Sequence, residues 1–405
     1  MSPTAPPLPI TILNGFLGSG KTTLLHSLLS QSKKQPQMKL AVIVNEMSEF
    51  DVDARLLDTV EVLSRKDALF ASIPAGSISG AEGLAHLHDA AERFRAGGAT
   101  HVLIETSGST HPWPLLQAIQ TDNRLRLHGF LTVVDTVTLA QDHDLGRAIV
   151  PAASRHLADN SRGVENLLAE QIMFANRILL SKMDKVAMET VRTVAEAIHP
   201  INPGADIVGM EWGNVKLEDV LAMPPYDHER VARLGAELTE WDETHGTRSM
   251  ASAADYRIDS VVISDPRPFH PERLWEVYNH YLGEGIYRSK GFFWLPTRDK
   301  LQLLWNQTAG SVGLQILNYW KAAALDDESL NLTPAEREEM RRRLDGFSPE
   351  FGDRHCQLTV IGDKDGLHTF AQALNECFCS QDEVALWKQG HVFEDPWPKT
   401  TARLG

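Results

Sequence analysis

A glycine-rich loop near the start of the chain constrains its fold more than any other feature. It follows the aliphatic run 10–13 and precedes the apolar segment 23–29, an order that predicts a strand, a loop and a helix. In that context the pattern G-x4-G-K-T is typical of a P-loop, whose glycines let backbone amides converge on phosphates. The residues predicted to contact a nucleotide here are Gly15, Gly18, Ser19, Gly20, Lys21, Thr22 and Thr23.

Polar residues after the apolar run 101–105 complete the predicted phosphate site. Lys21 is predicted to bridge the β- and γ-phosphates, and the Thr22 hydroxyl to ligate Mg²⁺. Glu105 ends the run and would orient Mg²⁺ through water, while the Gly108 amide would donate to the γ-phosphate. Lys21 and Glu105 are therefore predicted catalytic residues, and Thr22 and Glu105 predicted metal-side residues.

A short motif near residue 181 bears on the choice of base. Ser181-Lys182-Met183-Asp184 follows the apolar run 177–181 and is similar to the Asn-Lys-x-Asp guanine signature. There the lysine stem packs on the base, and the aspartate accepts from guanine N1 and N2; adenine would leave that buried carboxylate unpaired. Ser181 replaces the usual asparagine, so one hydrogen bond is shortened or lost. The motif favours guanine.

The first half of the chain has the pattern of an α/β domain. Buried-strand runs alternate with helical stretches, which predicts a mostly parallel sheet covered on both faces. Five such runs occur, at residues 10–13, 40–44, 101–105, 130–135 and 177–181. The predicted fold class is therefore a P-loop NTPase domain, followed by a smaller α+β domain.

A chain of 405 residues is long enough for two domains. We predict a nucleotide domain over residues 1–228, a charged and small-polar linker over 229–254, and a C-terminal domain over 255–405. In the C-terminal domain, strands are predicted at 256–263, 291–295, 301–305 and 357–362, and helices at 270–281 and 333–343.

Composition excludes several partners. The formal net charge of −15 repels phosphate backbones, so we expect no nucleic-acid partner. No apolar run reaches the ~18 residues that a membrane span needs, and residues 1–9 lack the pattern of a secretory signal. Three cysteines, Cys356, Cys377 and Cys379, are typical of a reducing compartment rather than a disulfide framework. These features predict a cytoplasmic protein.

Taken together, the motifs resemble those of the CobW-type metallochaperone GTPases, relatives of the urease and hydrogenase maturation GTPases. The N-terminal resemblance is carried by the P-loop, Val44-Asn45-Glu46, 104–108, 133–135, 181–184 and 201–205. The C-terminal half resembles the family's second domain through 266–274 and 288–295. The resemblance implies a Mg²⁺-dependent GTPase cycle that delivers a metal, often zinc or cobalt, to a client metalloprotein. A homodimer is one assembly that it suggests.

The resemblance also places the first switch segment at residues 45–53. The family's usual Asn-Glu-Phe-Gly-Glu is here Asn-Glu-Met-Ser-Glu. By this resemblance, Glu46, Glu49 and Asp53 are all candidates to sense Mg²⁺ and to position the attacking water, and the sequence does not choose among them.

The family's Gly-Cys-x-Cys-Cys metal motif is replaced in this chain. The matching stretch contains Ser77 and Ser79 instead of cysteines. Serine hydroxyls stay protonated near neutral pH and bind soft divalent metals poorly, so strong thiolate binding is absent here. Three alternatives stay open: a metal site elsewhere, for instance through the switch carboxylates with His111; weak or client-shared binding; or a metal-independent, nucleotide-driven activator.

Two other classes compete with a GTPase. A small-molecule kinase could use the same P-loop, but the sequence shows no arginine-rich lid. A protein that binds nucleotide without hydrolysis is a third alternative, against which the intact Lys21, Thr22 and Glu105 argue.

Overall fold

The computed structural model describes most of the chain. The described residues are 7–35, 37–45, 69–73, 78, 81–122, 124–159, 161–223, 226–245, 258–281, 285–308, 311–327, 332–398 and 402–403. They form two compact units, Met1–Ile258 and Asp259–Gly405. Within the predicted linker of 229–254, residues 229–245 belong to a helix, and residues 246–254 lie outside the described part of the chain.

The first unit is built on a seven-stranded sheet in which every strand pair is parallel. Its order is β3-β2-β4-β1-β5-β6-β7. The strands are β1 Leu8–Asn14, β2 Leu40–Asn45, β3 Phe70–Ile73, β4 His101–Glu105, β5 Leu125–Asp135, β6 Arg177–Ser181 and β7 Asp206–Gly209. The prediction of a parallel α/β sheet is confirmed, including all five predicted strands.

The two strands that the sequence pattern missed, β3 and β7, lie at the sheet's two edges. Each has four residues, and β7 is mostly exposed. A strand with only one neighbour does not need the continuous aliphatic run of a central strand. The pattern that identified the inner five strands is therefore weak at the edges.

Helices cover the sheet of the first unit. They are α1 Lys21–Ser32, α2 Ala81–Ala96, α3 Pro112–Thr121, α4 Thr136–Asp142, α5 Ile149–Ala158, α6 Val164–Met173, α7 Met188–Ile198, α8 Leu217–Leu221 and α9 His228–His245. α1 buries Leu24, Leu25 and Leu28 against strand residues such as Leu103. α9 passes so close to α3 that a Cβ at Gly235 would collide with the Trp113 ring.

The second unit contains a six-stranded sheet in the order β13-β11-β10-β9-β12-β8. β9 pairs antiparallel with β10 and β12, and β10 antiparallel with β11. The strands are β8 Ile258–Asp265, β9 Ile286–Phe293, β10 Leu301–Thr308, β11 Ser311–Tyr319, β12 Cys356–Asp363 and β13 Ala402–Arg403. The helices are α10 Pro271–Tyr281, α11 Lys321–Asp326, α12 Pro334–Leu344, α13 Lys364–Glu376 and α14 Gln381–Lys388.

The second unit has its own aromatic core. Phe269, Phe293, Trp294, Trp305 and Phe370 are fully buried within it. The predicted α+β character is confirmed, although the strands β11 and β13 were not predicted. Among the described helices of both units, none combines the length and the apolar character that crossing a bilayer demands.

Candidate functional site

The glycines of the P-loop are required by the path of the backbone. Gly15, Gly18 and Gly20 all have positive φ, at 139°, 71° and 103°. A Cβ at Gly15 would collide with the carbonyl oxygen of Val133 at the end of β5. The loop therefore lies directly against the carboxyl edge of the sheet, where parallel α/β folds bind their ligands.

Two polar side chains of the loop are buried. Lys21 Nζ donates to the carbonyl oxygens of Gly15 at 2.7 Å and Phe16 at 3.0 Å. Ser19 is fully buried, and its Oγ has no hydrogen-bond partner among the described residues. A buried hydroxyl without a partner costs free energy, and a phosphate oxygen at the loop would satisfy it. The loop thus fits a phosphate group.

The predicted Mg²⁺-side residues are in contact. Thr22 Oγ1 donates a 2.5 Å hydrogen bond to Glu105 Oε1. β1 and β4 pair with Leu13 opposite Glu105, which places this carboxylate beside the start of the P-loop. A hydroxyl and a carboxylate are the hard oxygen ligands that Mg²⁺ prefers, so these residues fit the ion.

The loop after β4 is held by the end of β2 and packs against the P-loop. Asn45 Oδ1, at the end of β2, accepts from the Ser107 amide at 3.3 Å and from Thr110 Oγ1 at 3.4 Å. A Cβ at Gly108 would lie 2.6 Å from the backbone nitrogen of Leu17. The predicted γ-phosphate donor therefore packs against the P-loop, and only a glycine fits there without displacing that loop.

Ser181 connects the predicted base-recognition motif to the P-loop. Its Oγ donates to the carbonyl oxygen of Ser19 at 2.6 Å and lies 3.3 Å from that of Val134. The residue is buried at 3% exposure. The serine that replaces the usual asparagine thus retains a hydrogen bond from the motif to the phosphate loop.

Lys182 is held by an aspartate that the sequence analysis did not assign to the site. Lys182 has a left-handed backbone, with φ 55°, and its Nζ forms an ion pair with Asp135 Oδ2. Asp135 Oδ1 also accepts from the amides of Val137 at 2.9 Å and Thr138 at 3.3 Å, which caps α4. Asp184 is exposed next to this pair. The signal for Asp135 was its place at the end of a buried strand.

Several predicted residues lie outside the described part of the chain. These are the switch carboxylates Glu46, Glu49 and Asp53, and the serines Ser77 and Ser79 of the replaced metal motif. Their predicted roles stay predictions.

His111, the histidine singled out for a metal or switch role, is buried. Its Nε2 lies 2.8 Å from Glu170 Oε2, and Glu170 also pairs with Arg162. Among the residues with described positions, no group of three or more His, Cys, Asp and Glu side chains is arranged to hold a metal. His111 therefore lies in a buried charged cluster at the start of α3.

The three cysteines lie in the core of the second unit. All are unpaired and buried. Burial raises the pKa of Cys377 and of Cys379 to about 12, and that of Cys356 still further, so all three remain thiols near neutral pH. All three belong to the hydrophobic cluster of this unit, where a thiol packs as a small apolar side chain.

Comparison with known proteins gives matches over both units. Residues 9–209 match the CobW/HypB/UreG nucleotide-binding domain, and residues 258–378 match the cobalamin synthesis protein cobW C-terminal domain. Zinc-regulated GTPase metalloprotein activator 1 of Dictyostelium discoideum is 30% identical over 402 residues, covering 94% of this chain and 82% of the relative. The zinc chaperone CobW of Pseudomonas aeruginosa is 28% identical over 231 residues, covering 53% of this chain and 60% of the relative.

Among solved structures, the Zn(II)-bound YjiA GTPase from E. coli is 19% identical, with a TM-score of 0.35. That alignment covers 92% of this chain and 99% of the other. The two domain matches and the full-length relative agree with the phosphate-loop geometry and with the antiparallel second unit. The chain therefore belongs to the CobW family of P-loop GTPases, with a nucleotide-binding domain followed by a CobW C-terminal domain.

Proposed function

We propose that this chain is a Mg²⁺-dependent GTPase that hydrolyses GTP to GDP and phosphate and so activates, or supplies metal to, a client metalloprotein. The observation that carries the proposal is the 2.5 Å contact between Thr22 Oγ1 and Glu105 Oε1. It joins the P-loop hydroxyl to the carboxylate of a neighbouring strand, the pair that nucleotide hydrolases of this class use on the metal side.

The residues of this chain have distinct roles in that proposal. When nucleotide binds, Lys21 Nζ donates to β- and γ-phosphate oxygens in place of the carbonyl oxygens of Gly15 and Phe16. Thr22 and Glu105 would hold Mg²⁺, which neutralises charge developing on the phosphates. The Gly108 amide donates to the γ-phosphate. Glu46, Glu49 and Asp53 stay candidates for positioning the water.

Guanine selection is assigned to the segment after β6. Asp184 is exposed at the carboxyl edge, where it can accept from guanine N1 and N2. Lys182, held by Asp135, supplies the stem that packs on the base. Adenine would place no donor opposite Asp184, so we expect GTP and GDP to bind more tightly than ATP.

The proposal has two versions, which differ in whether the protein carries a metal to its client. Zinc is the metal named in the relatives "zinc-regulated GTPase metalloprotein activator 1" and "zinc chaperone CobW". Ser77 and Ser79 stand where the family has cysteines, and serine does not supply thiolates. This replacement favours a second candidate function, a nucleotide-switched regulator that acts on its client without carrying zinc or cobalt.

Titration calorimetry and phosphate release test these assignments. Metal-free protein is titrated with Mg-GTP, Mg-GDP and Mg-ATP, with and without Zn²⁺ or Co²⁺. We expect guanine nucleotides to bind and phosphate to be released without an added acceptor. Glu105→Gln should lower the release rate by about a hundredfold, whereas the exposed Glu189→Gln on α7 should not change it.

Each outcome has a separate meaning. Preference for ATP would overturn the GTPase assignment in favour of a small-molecule kinase. No phosphate release without an acceptor would overturn it in favour of either that kinase or a protein that binds nucleotide without hydrolysis. Guanine binding that Zn²⁺ or Co²⁺ strengthens supports a metal carrier. Guanine binding that neither metal changes supports the metal-independent regulator.

A further inference from the structure

The turn that follows β7 contains an unusual residue. Residues Glu211 to Asn214 form a turn closed by a 2.8 Å hydrogen bond from the Asn214 amide to the Glu211 carbonyl oxygen. Its two central residues, Trp212 and Gly213, both have positive φ, at 51° and 72°. Turns with two such residues favour Gly, Asn and Asp, because a bulky side chain is strained in that conformation. Trp212 is therefore in a conformation that its side chain disfavours.

Trp212 is also exposed. The residue is 78% accessible, whereas Trp113, Trp294, Trp305, Trp320 and Trp397 are all at 8% or below. An indole in water gives no stabilisation from burial that could offset the backbone strain. A strained backbone conformation that is not offset by packing of the side chain is typical of a functional position.

On one side, the turn packs against the helix that follows the P-loop. A Cβ at Gly213 would lie 2.8 Å from the carbonyl oxygen of Thr23 and 3.1 Å from Cα of Leu24. Only a glycine permits this approach to the first turn of α1, which carries the predicted phosphate and Mg²⁺ residues Lys21 and Thr22. The backbone beside Trp212 is thus fixed to the phosphate end of the site.

On the other side, the end of β7, which leads into the turn, contacts the predicted base-recognition segment. A Cβ at Gly209 would lie 2.6 Å from both Sδ and Cε of Met183, which stands between Lys182 and Asp184. The Met210 amide donates to the Leu180 carbonyl oxygen at 2.8 Å, which extends the β6–β7 pairing to the edge of the sheet. The turn therefore begins directly after a strand end that contacts the base-recognition segment, and it contacts the P-loop helix through Gly213.

We propose that Trp212 stacks its indole on the base of the bound guanine nucleotide. This inference rests on the proposed function, because it names a further contact within the same site. The Lys182 stem was predicted to pack on one face of the base, and the indole supplies an apolar, polarisable partner for the purine ring. Stacking of an aromatic side chain on a base typically contributes about five- to a hundredfold in affinity. That contact explains an exposed tryptophan where Asn or Gly would fit the turn.

A contact with a client protein is the alternative for an exposed tryptophan. The close approaches at Gly209 and Gly213 favour the nucleotide, because they hold the end of β7 and the turn against the two segments that surround the predicted ligand. A client contact would require no such placement. The experiment separates the two, since only the stacking contact predicts a change in nucleotide affinity of the isolated chain.

The test compares Trp212→Phe with Trp212→Leu in the full-length protein. Both substitutions keep a bulky apolar side chain in the strained turn, but only phenylalanine keeps an aromatic ring. The Kd for Mg-GDP is measured by calorimetry. We expect Trp212→Leu to weaken binding about tenfold or more, and Trp212→Phe to stay within about threefold of the unsubstituted protein.

Trp212→Asn is the third variant, because asparagine accepts positive φ. We expect its melting temperature without nucleotide to equal or exceed that of the unsubstituted protein, while its affinity for Mg-GDP falls as in Trp212→Leu. A weaker affinity in a protein of undiminished stability cannot be attributed to unfolding.

Three results are distinguishable. Equal Mg-GDP affinity in the unsubstituted, Leu and Asn proteins would overturn the stacking contact and leave the GTPase intact. Equal weakening by Phe and Leu would also overturn it, since the ring itself would then not matter. Failure of the unsubstituted protein to bind guanine nucleotide would overturn the proposed function instead.

Discussion

A buried histidine in the central sheet gives the most quantitative prediction. His101, the first residue of β4, is 6% exposed, and its Nε2 lies 2.8 Å from Thr11 Oγ1 on β1. The His128 ring packs edge-on against the His101 ring, with the two ring centroids 5.3 Å apart. Burial, then the nearby His128 and Arg126, lower the pKa of His101 from 6.5 to about 3. The folded protein therefore keeps this imidazole neutral under all mildly acidic conditions.

The sign and the size of the effect follow from proton linkage. Below pH 6.5 the unfolded chain binds a proton at this histidine, but the folded chain does not until about pH 3. The contribution of the neutral His101 to the free energy of unfolding is therefore fully present above pH 6.5. It is lost as the pH falls toward 3, by about 1.4 kcal/mol for each pH unit. Between pH 7 and pH 5 the loss from His101 alone is about 2 kcal/mol.

The assay is urea unfolding of the full-length protein at pH 7 and at pH 5. Other groups titrate as well, so the informative quantity is the difference between the original protein and His101→Gln. Glutamine can still hydrogen-bond Thr11 but does not bind a proton. We expect His101→Gln to be less stable at pH 7, and this deficit to shrink by about 2 kcal/mol at pH 5.

His86→Gln is the matched control, since His86 is exposed on α2 of the same unit. The free energy of unfolding of His86→Gln should equal that of the original protein at both pH values. A deficit of His101→Gln that is the same at pH 7 and pH 5, within about 0.5 kcal/mol, would refute the reasoning that burial holds this histidine neutral.

Two further predictions concern the site and the cysteines. Ser181→Ala removes the 2.6 Å hydrogen bond to the Ser19 carbonyl oxygen and should weaken Mg-GDP binding about tenfold, as measured by calorimetry. Ser181→Thr keeps the hydroxyl and is the control. Unchanged affinity in the alanine variant would contradict a role of Ser181 in positioning the P-loop. Burial raises the pKa of Cys377 and Cys379 to about 12 and that of Cys356 further. All three should therefore resist a thiol reagent such as DTNB at pH 8 in the folded protein, and all three should react in urea. Rapid labelling of any of them in the folded protein would contradict their placement in the core.

Much of the fold could be predicted because its signals are local. The five inner strands of the first unit are runs of aliphatic residues, which a strand buried on both faces requires. The P-loop was identified from its own spacing, and Pro334 after Thr333 correctly indicated the start of α12. The short edge strands β3 and β7 lack such a run, so their sequences gave too little signal.

The contacts within the site were less accessible to prediction. Ser181 and Ser19 are 162 residues apart, and their hydrogen bond exists because β6 pairs with β5 and the P-loop lies against β5. Asp135 was visible as the end of a strand, but its pairing with Lys182 depends on the register that puts Asp135 opposite Ser181. Such contacts require the strand order, which no local pattern specifies.

The sequence by itself determined the phosphate loop and the parallel α/β class, and it predicted a metal-side pair of Thr22 and Glu105 and a replaced thiolate motif. Each of these depends on residue types at short spacings, where local geometry and side-chain chemistry suffice. Only the tertiary structure decided that His111 pairs with Glu170, that the cysteines are buried thiols, and that Trp212 stands exposed in a strained turn beside α1. These facts depend on burial and on contacts between distant segments, and both arise only when the sheet is assembled.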